Sequence, residues 1–252
     1  MKKAIIYVLA FLAIQLIIGG VIQTAWSALV KDADRTMMLI ISSSAANIIG
    51  IILFLRLRWA EVSPTYIRTR PWSTFLWCAV AACGAVIPSV WFQEQMPELP
   101  NIVEEELGGM LQSRWGYIAL GVLAPLGEEL VFRGAVLRAL LSWTNRHWGA
   151  IALSAFFFAL FHANPAQMPH AFLIGLLLGW LYYRTHSIAP GVIYHLVNNS
   201  IAYVMYNLYP NPDTRLIDIF GTQRTVAAAV VFSLFIFLPA LYQLNLRLRK
   251  AE

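Results

Sequence analysis

Three helical spacings in the second half of this 252-residue chain bring acid, base and oxyanion chemistry together. Glu128 and Glu129 are adjacent and Arg133 follows Glu129 by four, while Phe158 and His162, and then His195 and Asn199, are each four apart. Residues i and i+4 share one face of a helix, whereas neighbours diverge by about 100°. Arg133 can therefore offset the charge of Glu129, and Glu128 points elsewhere. That provides one structural and one unpaired carboxylate. Pro125, just before the pair, removes a helix hydrogen bond and is expected to open the backbone near Gly127.

A carboxylate kept from water holds its proton more tightly, which suits it to take a proton from water and pass it to a leaving amine. His162 and His195 can orient that water, and Asn199 can donate to the developing oxyanion. This is a route to peptide hydrolysis without a side-chain nucleophile. The same groups also match a catalytic zinc site, in which Glu128, His162 and His195 would be ligands with one position open. Other hydrolytic signatures fit less well. The sequence contains no H-E-x-x-H and no G-x-S-x-G, and the aspartate pairs Asp32/Asp34 and Asp213/Asp218 lie outside the apolar runs.

The elements that must carry these residues are membrane-spanning. The chain is 59% apolar and only 12% charged, with mean hydropathy +0.64. A soluble domain carries about twice that charge. Eight apolar runs, at about 4–30, 37–57, 73–92, 115–142, 147–163, 168–184, 187–208 and 223–246, are each near the length that crosses a bilayer. Without the alternating ten-residue pattern of a barrel, helices alone satisfy the backbone in lipid, so an all-α bundle of about eight transmembrane helices is expected. That composition excludes secreted disulfide scaffolds, disordered regulators and nucleic-acid-binding domains, and the pI near 9.4 does not point to DNA because the basic residues sit in short groups between the runs. The first run is too long for a signal-peptide core and is expected to be a retained span.

Orientation follows from lysine and arginine. With the N-terminus inside, only Lys31, Arg35, Arg114, Arg215 and Arg224 of the 18 basic residues fall outside. The positive-inside rule then predicts an inner (cytoplasmic) membrane protein with both termini cytoplasmic. The acidic stretch Glu94 to Glu106 falls on the outer side, and most tryptophans lie at run ends as an interfacial belt. Cys78 and Cys83 have neither disulfide nor metal spacing and are expected in the core. His147, His170 and His186 lie at run ends and are expected to be interfacial. Phe172, Gly175 and Gly179 suit close helix packing. Ionisable groups inside the runs concentrate in the fourth to seventh. The chain thus divides into residues 1–113 (three spans and the outer acidic loop), 114–208 (the core holding the chemistry) and 209–252 (the last span and a basic tail).

Glu128-Glu129-Leu130-Val131-Phe132-Arg133, Phe158-x-x-x-His162 and His195-x-x-x-Asn199, in that order, resemble the E-E-x-x-x-R, F-x-x-x-H and H-x-x-x-N motifs of the CPBP intramembrane proteases. That family contains the eukaryotic CAAX prenyl endopeptidases and the bacterial Abi proteins. The resemblance covers about residues 114–208. It implies that Glu128 activates water with His162 and His195 assisting, that Asn199 stabilises the oxyanion, and that Glu129, Arg133 and Phe158 support the site. It further implies an endopeptidase acting on a membrane-associated peptide or protein, with bacteriocin immunity or peptide maturation as roles of bacterial relatives. A glutamate mechanism with no cofactor is favoured over zinc. The expected partners are membrane lipids and a peptide or membrane-protein substrate, not nucleic acid, and no residue pattern fixes an oligomeric state. A non-catalytic immunity protein that binds a peptide is the alternative from another class. A proton-coupled transporter is a third reading, weakened by the lack of inverted repeats.

Overall fold

The computed structural model describes residues 1–30, 34–211 and 213–249. Lys31, Asp32 and Lys250, and with them one half of the Asp32/Asp34 pair, lie outside the described residues. Each apolar run is a helix, and no strand occurs among the described residues. The main helices are α1 (Lys2–Leu29), α2 (Arg35–Arg56), α3 (Trp72–Glu94), α4 (Glu104–Gln112), α5 (114–141), α6 (His147–Phe161), α7 (Met168–Thr185), α8 (Ala189–Leu208) and α9 (Gln223–Arg247), with five-residue helices at Pro64–Arg68 and Leu216–Phe220 in the connections. Four of these, α1, α2, α3 and α9, are long and apolar enough to cross a membrane by length and composition. The remaining runs of the expected eight are α6, apolar but only 15 residues long, and the three helices α5, α7 and α8, which carry most of the polar groups of the constellation. The outward surfaces of α1 and α9 suit lipid: Leu16 is 66% exposed and Phe232 73%.

Close approach of the helices depends on small residues, as expected where burial in lipid supplies little drive for association. A Cβ on Gly175 would lie 2.9 Å from Ala155 Cβ, and one on Gly179 would lie 2.9 Å from Ile151 Cγ2, so α7 packs tightly along α6. Similarly, a Cβ on Gly84 would sit 2.7 Å from the Phe237 backbone nitrogen, where α3 crosses α9. Three apolar cores result, the smallest of them made by Ile40, Met110 and Ala119. Of the two larger ones, Phe11, Phe54, Phe132, Phe158 and Ile151 belong to the first, and Cys78, Ala82, Leu178, Tyr194 and Leu244 to the second. Cys78 is in the core as expected, but Cys83 is exposed: it lies five residues further along α3, on a different face.

Helix α5 is irregular in a way that shapes the site. Two π-turns, Tyr117–Leu123 and Phe132–Leu137, flank the α-helical segment Ala124–Val131 that carries both glutamates. The Ala124 N–H bonds to Ala119 O, five residues back, and Pro125 has no N–H to offer. Leu120 O is thereby released from the helix, and Asn199 Nδ2 donates to it at 3.0 Å. The opening expected near Gly127 therefore occurs about two turns earlier, at Leu120. In the second π-turn, Phe132 O accepts from Ser154 Oγ at 3.0 Å.

Hydrogen bonds tie the connections into two belts, one at each end of the bundle. At the end holding both termini, Arg138 pairs with Glu61, the Ser63 hydroxyl donates to His186 O, and Arg184 Nη1 donates to Asn245 Oδ1 at 2.7 Å. At the other end Asn164 Nδ2 donates to Asn101 Oδ1 at 2.8 Å, Arg35 pairs with Glu106 at 2.5 Å, and the Leu216 N–H donates to Glu94 Oε1 at 2.6 Å. The acidic stretch is partly the surface helix α4, held to α8 by Asn207 Nδ2 donating to Leu111 O at 2.9 Å.

Candidate active site

Helices α5, α6, α7 and α8 converge on the polar constellation. Glu129 and Arg133 are 0% and 1% exposed, so neither charge is solvated and each must find its partners in the protein. Arg133 Nη1 donates to Glu129 Oε1 at 2.9 Å, as the i,i+4 spacing suggests, and Nη2 donates to Gly175 O at 3.2 Å. The guanidinium also stands 4.4 Å from the Phe158 ring centre, in cation–π geometry. One charge pair thereby locks α5 to both α6 and α7.

The same Glu129 Oε1 lies 3.0 Å from His195 Nδ1. With the Nδ1 proton given to Glu129, His195 Nε2 is directed at Glu128, whose Oε2 is 3.8 Å away. Glu129 thus anchors the imidazole, and the imidazole faces the second carboxylate. A distance of 3.8 Å exceeds a direct hydrogen bond, and a water beside the pair could bond to both groups.

Phe158 links the two histidines. Its ring meets His162 edge-on at 4.8 Å and His195 edge-on at 5.8 Å. His162 caps the C-terminus of α6, with Nδ1 2.9 Å from Phe158 O. Counted along the spans, His162 lies nearer the outer end than Glu128 and His195, yet all three line one cavity of about 310 Å³ together with Phe158 and Asn199. Asn199 spends one N–H on Leu120 O and keeps the other, and Asn198 Nδ2 donates to Asn199 Oδ1 at 3.3 Å.

Several lining residues escaped the sequence reading. His170, expected at the interface, faces the cavity from the first turn of α7, beside Gln167. Asn198 lines it from α8, and Leu107 and Leu111 of α4 cover it. The only signal for His170 was its position two residues after Met168, the first residue of α7, which the sequence alone does not relate to His162. A larger groove of about 640 Å³ between α3, α7 and α9 is lined by Trp148, Trp180 and Phe237 and by no acid or histidine. The smaller cavity is the one lined by an acid and by histidines.

A zinc ion held by Glu128, His162 and His195 would need their side chains to meet at one point. Among the described residues, no three His, Cys, Asp or Glu side chains gather closely enough to hold one ion. Both Nδ1 atoms are engaged, so each imidazole could offer only Nε2 to an ion, and with Glu128 the two Nε2 atoms are not gathered into one ligand set.

Residues 110–201 match the family model described as type II CAAX prenyl endopeptidase Rce1-like. No curated protein and no solved structure matches the chain.

Proposed function

We propose that this chain, whose residues 110–201 are an Rce1-like domain of the CAAX-protease-like membrane endopeptidases, hydrolyses a peptide bond of a membrane-associated peptide or protein with water activated by Glu128. One observation carries the reading: the two adjacent carboxylates have opposite surroundings. Glu129 is fully buried and committed to Arg133 and His195, whereas Glu128 opens on the cavity and comes only within 3.8 Å of His195 Nε2.

Glu128 takes a proton from water as the oxygen attacks the carbonyl carbon, and the proton then passes to the departing amine nitrogen. His195 Nε2, held in its tautomer by Glu129, orients the water or steadies the carboxylate as it changes charge. His162 lines the same cavity and bounds the water's position. Asn199 donates its remaining N–H to the oxyanion; a preset donor of this kind is worth a factor of about 10²–10³ in rate. Arg133 and Phe158 hold the frame. Neither needs to touch the substrate.

The bundle is read as a multi-pass protein of the cytoplasmic membrane with cytoplasmic termini, supported by the concentration of lysine and arginine at the terminal end. Comparing C-terminal peptides from membranes holding the wild type or Glu128→Gln tests the reading. New C-termini should be present with the wild type and absent with Glu128→Gln at equal protein level, and their persistence would overturn it.

A further inference from the structure

The end of the bundle at which the cavity opens decides which compartment it can serve. Gln93 in the last turn of α3, Leu107 and Leu111 of α4 and Gln167 in the α6–α7 connection line its outermost part. All belong to the end of the bundle away from the termini, where Asn101 meets Asn164 and Glu94 meets Leu216. Toward the terminal end the way is shut, because behind Glu128 and His195 stand the buried Glu129–Arg133 pair and Gly191, whose missing Cβ leaves no gap beside Glu129. A polar recess of about 200 Å³ at the open end, holding Glu94, Glu98 and Arg215, shares Gln93 and Ala166 with the cavity. Water and a charged peptide end therefore have a polar approach from that side.

Charge assigns the compartment. Of the 18 Lys and Arg, Lys31 and Lys250 are outside the described residues and Arg133 is inside the bundle; Arg35, Arg114, Arg215 and Arg224 mark the open end, and the other eleven mark the terminal end. The connections are short enough for the positive-inside rule to apply, so the terminal end is cytoplasmic. We infer that the site is served from the extracytoplasmic face and that its substrates are peptide segments presented there, not C-termini in the cytoplasm. This rests on the endopeptidase reading for the word substrate. The sidedness of the cavity does not.

The test uses the full-length protein in cells with Cys83→Ser, which leaves only the buried Cys78 thiol. Single cysteines are then introduced as Gln93→Cys at the rim, Glu105→Cys on α4 and Asn145→Cys at the opposite end, all at exposed positions. A membrane-impermeant sulfonated maleimide should label positions 93 and 105 in intact cells, and position 145 only after permeabilisation. Position 93 unreactive from outside, whether or not permeabilisation exposes it, overturns the inference. Cut peptides provide the second readout: with a correct inference they collect outside the cytoplasm. Labelling as expected with no cut peptides would reject the endopeptidase reading and leave the sidedness standing, so the two failures are distinguishable.

Discussion

Gly191 stands directly against Glu129: a Cβ at residue 191 would lie 2.7 Å from Glu129 Oε2. That oxygen is buried and has no hydrogen-bond partner among the described residues, while Oε1 serves both Arg133 and His195. The glycine is what lets α8 approach closely enough for His195 to reach α5. Gly191→Ala should therefore displace the carboxylate and, with it, the aim of His195. A misplacement of about 1 Å at a reacting group can reduce rate by about 100-fold. Cleavage measured on Gly191→Ala should fall by at least tenfold with the protein still in the membrane; unchanged cleavage would show that His195 does not depend on Glu129.

The adjacent glutamates should separate stability from activity. Glu129→Gln removes the partner of a fully buried guanidinium, a change that commonly costs about 3–5 kcal/mol. Glu128→Gln alters a group that opens on the cavity and should barely move the unfolding midpoint in detergent while abolishing cleavage. If thermal unfolding shows the two variants equally destabilised, the division of roles between them is wrong.

Asn199 has both a structural and a chemical role to test. Asn199→Ala strands Leu120 O, a half-buried acceptor, at the low end of the about 1–3 kcal/mol that a buried one costs, and removes the oxyanion donor. Ser154→Ala strands Phe132 O in the second π-turn and touches nothing in the cavity. Both variants should lower the unfolding midpoint, Ser154→Ala at least as much because its bond is buried. Only Asn199→Ala should also slow turnover by about 100-fold or more. A comparable loss of turnover in both would assign the effect of Asn199 to the backbone of α5.

Metal removal should leave the reaction intact. Incubation of purified protein with a zinc chelator is expected not to change cleavage, and zinc content is expected to fall well below one ion per chain. Loss of activity on chelation with recovery on added zinc would revive the Glu128, His162 and His195 ligand set.

Much of the frame was legible because lipid restricts the choices. Each run of about 20 apolar residues had to be a helix, and each is one. The spacing that placed Arg133 under Glu129 was equally readable, since i,i+4 geometry is local. Contacts between helices were not. Nothing in the sequence says that His195 reaches Glu129 through the space left by Gly191, or that Asn199 is drawn to a carbonyl released by a π-turn ahead of Pro125. His170 was set aside for lying at the end of a run, where an imidazole ordinarily meets the interface; here the loop after His162 folds that end inward over the cavity. Helix α4 was hidden because its covering face is only Leu107 and Leu111, beside three consecutive glutamates.

The two π-turns of α5 have one more consequence, in angular phase. Each is an α-turn carrying a surplus residue, and one residue corresponds to about 100° of rotation about the axis. The faces of α5 before residue 117 and after residue 137 are thus out of step with the face that presents Glu128. Deleting one residue between 117 and 123 would return that stretch to regular α geometry, swing the Arg114–Gly116 end by about 100°, and withdraw the carbonyl that Asn199 holds. The surplus residues act as a gearing that lets one rod meet α2, α6 and α8 with three different faces while keeping its acid directed into the cavity.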